Sequence, residues 1–176
     1  MLYFARNPRF VSALVFFISA SALAATLPPD SYESDNNNAA DGALDQLSAT
    51  TMSLAKTITS GATQIHSLHV GGSFLGGPAD RDVVKFTLTV VSDIILQTDE
   101  AIGPCDTVLR LFDNTGSEIG SDDDGNTAGN HASSLYMTNL AIGTYYACVE
   151  EHGLSNGNNA KTIESYKISL VSALTG

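Results

Sequence analysis

Short runs of alternating apolar and polar residues, cut apart by clusters of Gly, Asn and Asp, dominate the later part of this chain. Val84, Phe86, Leu88 and Val90 alternate with Lys85, Thr87 and Thr89. Leu109 and Leu111 flank Arg110, and Tyr145, Ala147 and Val149 alternate with Tyr146, Cys148 and Glu150. Tyr166, Ile168 and Leu170 alternate with Lys167 and Ser169. Successive side chains of a strand point to opposite faces, so a period of two marks strands with one buried face. Between the runs lie GGSFLGGPAD, DNTG, SDDDGNTAGN and HGLSNGNN, which carry turn chemistry. No long helical pattern alternates with the strands, which argues against a βαβ fold. The expected fold is all-β, with seven to eight short strands in an antiparallel sandwich or jelly roll.

The chain begins differently. Arg6 and Arg9 precede an uncharged, mostly apolar stretch from Phe10 to Leu23, and Ala22-Leu23-Ala24 offers the small residues a signal peptidase accepts. Residues 1–24 therefore read as a secretory signal peptide, cut after Ala24. The alternative is a membrane anchor, but an apolar run of about 14 residues falls short of the roughly 20 that a span needs. No Cys follows the cut to carry a lipid. The expected location is secreted or periplasmic, with no membrane insertion after processing.

Charge narrows the partners. The full chain has 8 Lys+Arg against 19 Asp+Glu, a net charge of −11. Removing residues 1–24 takes two Arg and no acid, which leaves six bases against 19 acids and a net charge of −13. Such a chain lacks the basic face that nucleic acid or anionic lipid requires. With 43% hydrophobic and 15% charged residues it is not a disordered acidic tail either. An exported chain meets calcium and an oxidising environment. Its two cysteines, Cys105 and Cys148, are most simply one disulfide. That bridge would close a loop of roughly 40 residues and stabilise by about 3–4 kcal/mol. Two buried thiols are the alternative.

Residues 25–60 form a polar, acidic arm with Pro28-Pro29 and three consecutive Asn. Within it Leu44, Leu47, Met52 and Leu54 give a weak helical period among many Thr and Ser, which allows a short helix or a loop. Residues 61–176 are the expected sandwich domain.

Several stretches together resemble the bacterial pre-peptidase C-terminal domain family. DSYESDNN (30–37) is similar to the family's acidic opening arm, and QIHSLHV (64–70) to its first strand. ADRDVVKFTLT (79–89) resembles its Asp-x-Asp strand, and DTVLRLFDNTGSEIGSDDDG (106–125) its strand, turn and paired-Asp pattern. LAIGTYYACVEEHG (140–153) and YKISLVS (166–172) are similar to its last two strands. The resemblance covers nearly the whole chain after residue 24. It implies a jelly-roll sandwich without catalytic activity, of a kind found at the end of secreted peptidases, where related domains bind collagen or carry calcium. This chain departs from the family in Val83, where an aromatic is common, in the material around 43–60 and 71–78, and in having no peptidase ahead of the domain.

Two acidic groups are candidate calcium sites, since calcium takes six to eight oxygens. The main candidate joins Glu33, Asp35 and Asn36 of the arm to Asp80 and Asp82, and the resemblance implies that such segments share an ion. A solvated linker with capping Asp residues is the alternative. The weaker candidate is Asp113 with Asp122, Asp123 and Asp124. Adjacent carboxylates repel unless a cation or donors sit among them. Aligning Asp122, Asp124 and Gly125 to an EF-hand loop puts Gly120 and His131 at its ends, so that template fails. The stronger alternative is a hairpin turn whose Asp side chains bond nearby N–H groups.

Other motifs carry less. Gly153-Leu154-Ser155-Asn156-Gly157 fits G-x-S-x-G, but no Asp lies beyond Asp124 and no His beyond His152 to complete a triad in that order. His66, His69, His131 and His152 are scattered and read as surface or strand-edge residues. Tyr136, Tyr145 and Tyr146 offer a sugar- or peptide-binding platform, although Tyr145 suits the core better. The functional expectation is a non-catalytic exported module, stiffened by calcium, that binds a protein or other extracellular polymer. Alternatives are a carbohydrate-binding module, which the absence of Trp weakens, and an inhibitor or chaperone of a separately encoded peptidase.

Overall fold

The computed structural model describes residues 47–68, 81–102, 106–125, 131–155 and 163–175. The described strands are β1 (Lys56–Thr57), β2 (Thr63–Leu68), β3 (Asp82–Leu88), β4 (Ser92–Ile102), β5 (Thr107–Phe112), β6 (Glu118–Asp122), β7 (Ser134–Leu140), β8 (Gly143–Glu151) and β9 (Ile163–Leu174). Two short helices, α1 (Ala49–Leu54) and α2 (His152–Ser155), complete the elements. One sheet has the order β1-β3-β8-β5-β6 and the other β2-β9-β4-β7.

This order is that of a jelly roll. With β1 set aside, the strands counted along the chain lie second, seventh, fourth, fifth in one sheet and first, eighth, third, sixth in the other. A long antiparallel ribbon folded over on itself gives this interleaving. The expected antiparallel sandwich is thus present, with nine described strands rather than seven to eight. The extra strand is β1, which pairs parallel to β3 through Lys56↔Val84 and Thr57↔Lys85. Both of its residues are exposed, so it has no apolar alternation to betray it.

The periods read from the sequence point as they should. Val84, Phe86 and Leu88 of β3, Leu109 and Leu111 of β5, Tyr145, Ala147 and Val149 of β8, and Tyr166, Ile168 and Leu170 of β9 share one core between the sheets. Val90 falls outside this pattern, because β3 ends at Leu88 and Val90 lies exposed in the following turn. A second, separate cluster lies on the outer face of the five-stranded sheet: Leu47, Ala55, Val83, Phe112 and Cys148, with Met52 and Tyr146 against it. The helix allowed by the weak period around residue 50 forms as α1, whose N-cap Ser48 Oγ accepts from Thr51 N at 3.1 Å.

The two ends of the sandwich differ. The links 89–91, 113–117 and 141–142 are short and close one end. At the other end the strand termini Leu68, Ile102, Asp122 and Glu151 lead into the links 69–81, 103–106, 123–133 and 152–162, all but 103–106 longer than any link at the first end.

Candidate functional site

The long-link end gathers acidic side chains on a rigid base. The register Thr107↔Glu151 brings the residue before β5 beside the residue after β8, and His152 N donates to Asp106 O at 3.0 Å. Beneath them three fully buried hydroxyls interlock: Thr98 Oγ1 lies 2.6 Å from Thr107 Oγ1, and Ser133 N donates to Thr98 Oγ1 at 2.8 Å. Ser133 Oγ lies within hydrogen-bond distance of two carbonyls, Thr107 O at 2.6 Å and Asp123 O at 2.9 Å. The backbone at Asp123 is thereby pinned to the core.

On this base His152 Nδ1 sits 2.8 Å from Asp123 Oδ1 and 3.8 Å from Asp106 Oδ1. The hydrogen bond to Asp123 raises the pKa of His152 above its ordinary value; burial opposes it, and the charges of Asp123, Asp106 and Asp124 add to the rise. Donor atoms of Asp106, Asp123 and His152 all lie within 4.8 Å of one another, so these three could hold a cation. Next to them Asp124 Oδ1 pairs with His131 Nδ1 at 3.0 Å, both side chains exposed.

The weaker calcium candidate is therefore redistributed. Asp122 turns its Oδ2 to Gly125 N (2.8 Å) and Ser134 N (2.7 Å), which fastens β6 to β7. Asp123 and Asp124 face different histidines. Asp113 lies in the β5–β6 turn, at the opposite end of β6, where its Oδ1 accepts from Thr115 N, Thr115 Oγ1 and Ser117 N. The Thr115 bonds lead in lowering its pKa. Asp113 thus fills the role of a turn residue and does not join Asp122, Asp123 and Asp124. Asp106 and His152 were missed by sequence reasoning, because only the β5–β8 register makes them neighbours.

Of the main calcium candidate, Glu33, Asp35, Asn36 and Asp80 lie outside the described residues. Asp82 is buried between the sheets, where Tyr166 Oη donates to its Oδ2 at 2.7 Å. Its Oδ1 is buried without a hydrogen-bond partner among the described residues, 3.6 Å from His66 Nδ1. His66 stacks on Tyr166 with ring centroids 5.7 Å apart, and its Nε2 lies 3.2 Å from Gln64 Oε1. Of the two placements expected, strand edge and surface, His66 has the first, on the edge strand β2, and not the second, since it is 3% exposed. His69 lies outside the described residues.

Other expectations are revised too. Cys148 is a buried free thiol, so the Cys105–Cys148 bridge is not found. Its side chain packs as a small apolar group in the outer cluster, where burial pushes the thiol pKa far up. Cys105 lies outside the described residues. The three tyrosines make no common platform. Tyr145 stacks on Phe86 in the core and donates to Ala141 O at 2.9 Å, Tyr146 lies half-buried on the outer face of the same sheet, and Tyr136 is exposed on the other sheet. Ser155 ends α2. A further cluster, unforeseen in the sequence, holds fully buried Glu150 between Arg81 Nε (3.0 Å) and Arg110 Nε (2.8 Å), with Arg110 Nη1 reaching Glu118 Oε2 at 3.1 Å.

No family model and no curated protein matches the chain. Solved structures do. The periplasmic inhibitor of g-type lysozyme from Aeromonas hydrophila, PliG, is 12% identical with a TM-score of 0.47, covering 68% of this chain and 96% of that one. The chain is likewise similar to the pre-peptidase C-terminal domain of a collagenase from Bacillus anthracis, 18% identical with a TM-score of 0.47 over 66% of this chain and 93% of that one.

Proposed function

We propose that the protein is a non-catalytic, exported module that binds a protein through the long-link end of its sandwich. The observation that carries this reading is the asymmetry of the two ends. One end is closed by short turns. The other presents long links on interlocked hydroxyls, with Asp106, Asp123 and Asp124 at its surface and exposed His131 and half-buried His152 already drawn onto them. Recognition residues concentrate on such links, held by a rigid scaffold. A protein partner is favoured over a sugar because Tyr136, Tyr145 and Tyr146 lie apart.

A pulldown from the native envelope or culture fluid tests the reading. Wild-type chain and an Asp106→Asn/Asp123→Asn/His152→Gln variant serve as baits. The expected result is one partner enriched by wild type and lost by the variant. Equal recovery by both baits, or no specific protein with either, would overturn it.

Calcium belongs to the same proposal as a stiffening ion. Asp82 Oδ1 supports it, because a buried carboxylate oxygen without a hydrogen-bond partner among the described residues suits a hard cation. Glu33, Asp35, Asn36 and Asp80 would complete the oxygens. Calorimetric titration with calcium should give one saturable event that Asp82→Asn weakens. No heat and no rise in melting temperature would remove calcium from the proposal.

A further inference from the structure

Residues 47–57 run across the outer face of the five-stranded sheet and end as its edge strand, beside β3. They comprise Leu47, α1, Ala55 and β1. What they cover is the second apolar cluster, Val83, Phe112 and Cys148, which is distinct from the core between the sheets. The next residue, Ile58, is anchored in that main core at 1% exposure, and Ile58 N donates to Lys85 O at 2.9 Å.

The segment is weakly self-supporting. A helix of six residues is far below the length that persists alone. β1 contributes two residue pairs to β3, whereas β3 keeps an unbroken register with β8 from Asp82↔Val149 to Leu88↔Gly143. The sheet therefore survives the loss of β1. At the far end Leu47 N donates to Gly116 O at 2.9 Å. Gly116 has φ +82°, and a Cβ placed there would lie 2.4 Å from Leu47 O. Only glycine lets the turn and Leu47 meet.

We infer that residues 47–57 are a strap that opens as a unit while the sandwich stays folded, and that Cys148 beneath it is a thiol latch available only when the strap is up. Local units of low stability open below global unfolding. In the closed form Cys148 is 1% exposed and close-packed, so an added group has no room. In the open form its thiolate can attack a small-molecule disulfide R–S–S–R. One S–S bond forms between Cys148 Sγ and a reagent sulfur, the reagent bond breaks, and the other sulfur leaves as R–S⁻. The proton of Cys148 passes to water. The adduct then blocks reclosure, and a reducing thiol restores it.

An aromatic disulfide reagent, whose released thiolate absorbs visible light, tests this on the full chain carrying Cys105→Ser. The expected result is slow release of one equivalent in native buffer, with less denaturant dependence than global unfolding. Gly116→Ala should accelerate it about tenfold or more while the sandwich keeps its cooperative melt. Leu47→Ser, which leaves the turn alone, should accelerate it in the same direction should Gly116→Ala fail to fold. Cleavage by a protease within 47–57 should rise in the adduct and fall again after reduction. The inference fails on either of two results. One is release with the full denaturant dependence of global unfolding. The other is release, or cleavage, unaffected by the substitutions and by the adduct.

Discussion

Tyr166 Oη, from β9, donates a 2.7 Å hydrogen bond to Asp82 Oδ2, from β3, and so ties the two sheets through the middle of the core. Both residues are buried, at 0% and 2% exposure. Losing one partner leaves a buried polar group unsatisfied, which costs about 1–3 kcal/mol. Tyr166→Phe removes the donor and keeps the ring against His66, so it should destabilise by that amount in urea unfolding. In the double variant with Asp82→Ala the two losses should be less than additive, because each single change already breaks the same bond. Strict additivity would show that the bond contributes nothing to stability.

Glu150 should be the least replaceable charge in the chain. It is fully buried with Arg81 and Arg110 on its two oxygens. Removing one member of a buried ion cluster leaves buried charge less well compensated and costs about 3–5 kcal/mol. Glu150→Ala should therefore lower the unfolding midpoint strongly. Glu118→Ala should do much less, since Glu118 is 24% exposed and leaves Arg110 its bond to Glu150. Similar losses for the two variants would mean that Arg110, not Glu150, is the centre of the cluster.

Asp113 offers a test of the split between the acidic residues. It bonds Thr115 and Ser117 within its own turn, at the end of the molecule opposite Asp106 and His152. Its lowered pKa contributes stability that is present above the ordinary carboxylate range and lost as pH falls through the folded-state value. Asp113→Ala should therefore destabilise at neutral pH and approach wild type in strong acid, followed by thermal melts across pH. Partner capture should be unchanged. A loss of capture without a loss of stability would place Asp113 in the binding site.

Strands with one apolar face were legible because their period of two has a direct physical cause. Tyr145, Ala147 and Val149 could be assigned inward from the sequence, and they are. Partly exposed segments were not. Ile94, Ile95 and Leu96 are three successive apolar residues with no alternation to mark a face, yet Ile95 is 37% exposed while its neighbours are buried. The site was less visible than the fold for a related reason. Asp123 stood out as part of an acidic triplet, but its partners Asp106 and His152 become neighbours only through the β5–β8 register, which no local pattern encodes. Likewise His66 looked like a surface or strand-edge residue because nothing near it in sequence announces Asp82 and Tyr166 as its surroundings.

His152 gives the long-link end a pH dependence whose sign is fixed by its surroundings. Asp123, with Asp106 and Asp124 nearby, holds its pKa above the unfolded value of about 6.5. A raised folded-state pKa contributes stability that is fully present below the unfolded value and is lost as pH rises through the folded one. Wild type should therefore exceed His152→Gln in melting temperature at about pH 5.5, and the gap should close at about pH 8–9, where the imidazole is neutral in both states. Asp123→Asn should remove most of the same gap, because it supplies the 2.8 Å bond. Paired melts of the three chains at these two pH values decide the matter. A gap that is constant with pH, or one that widens toward alkaline pH, would show that His152 is held by packing and not by its charge.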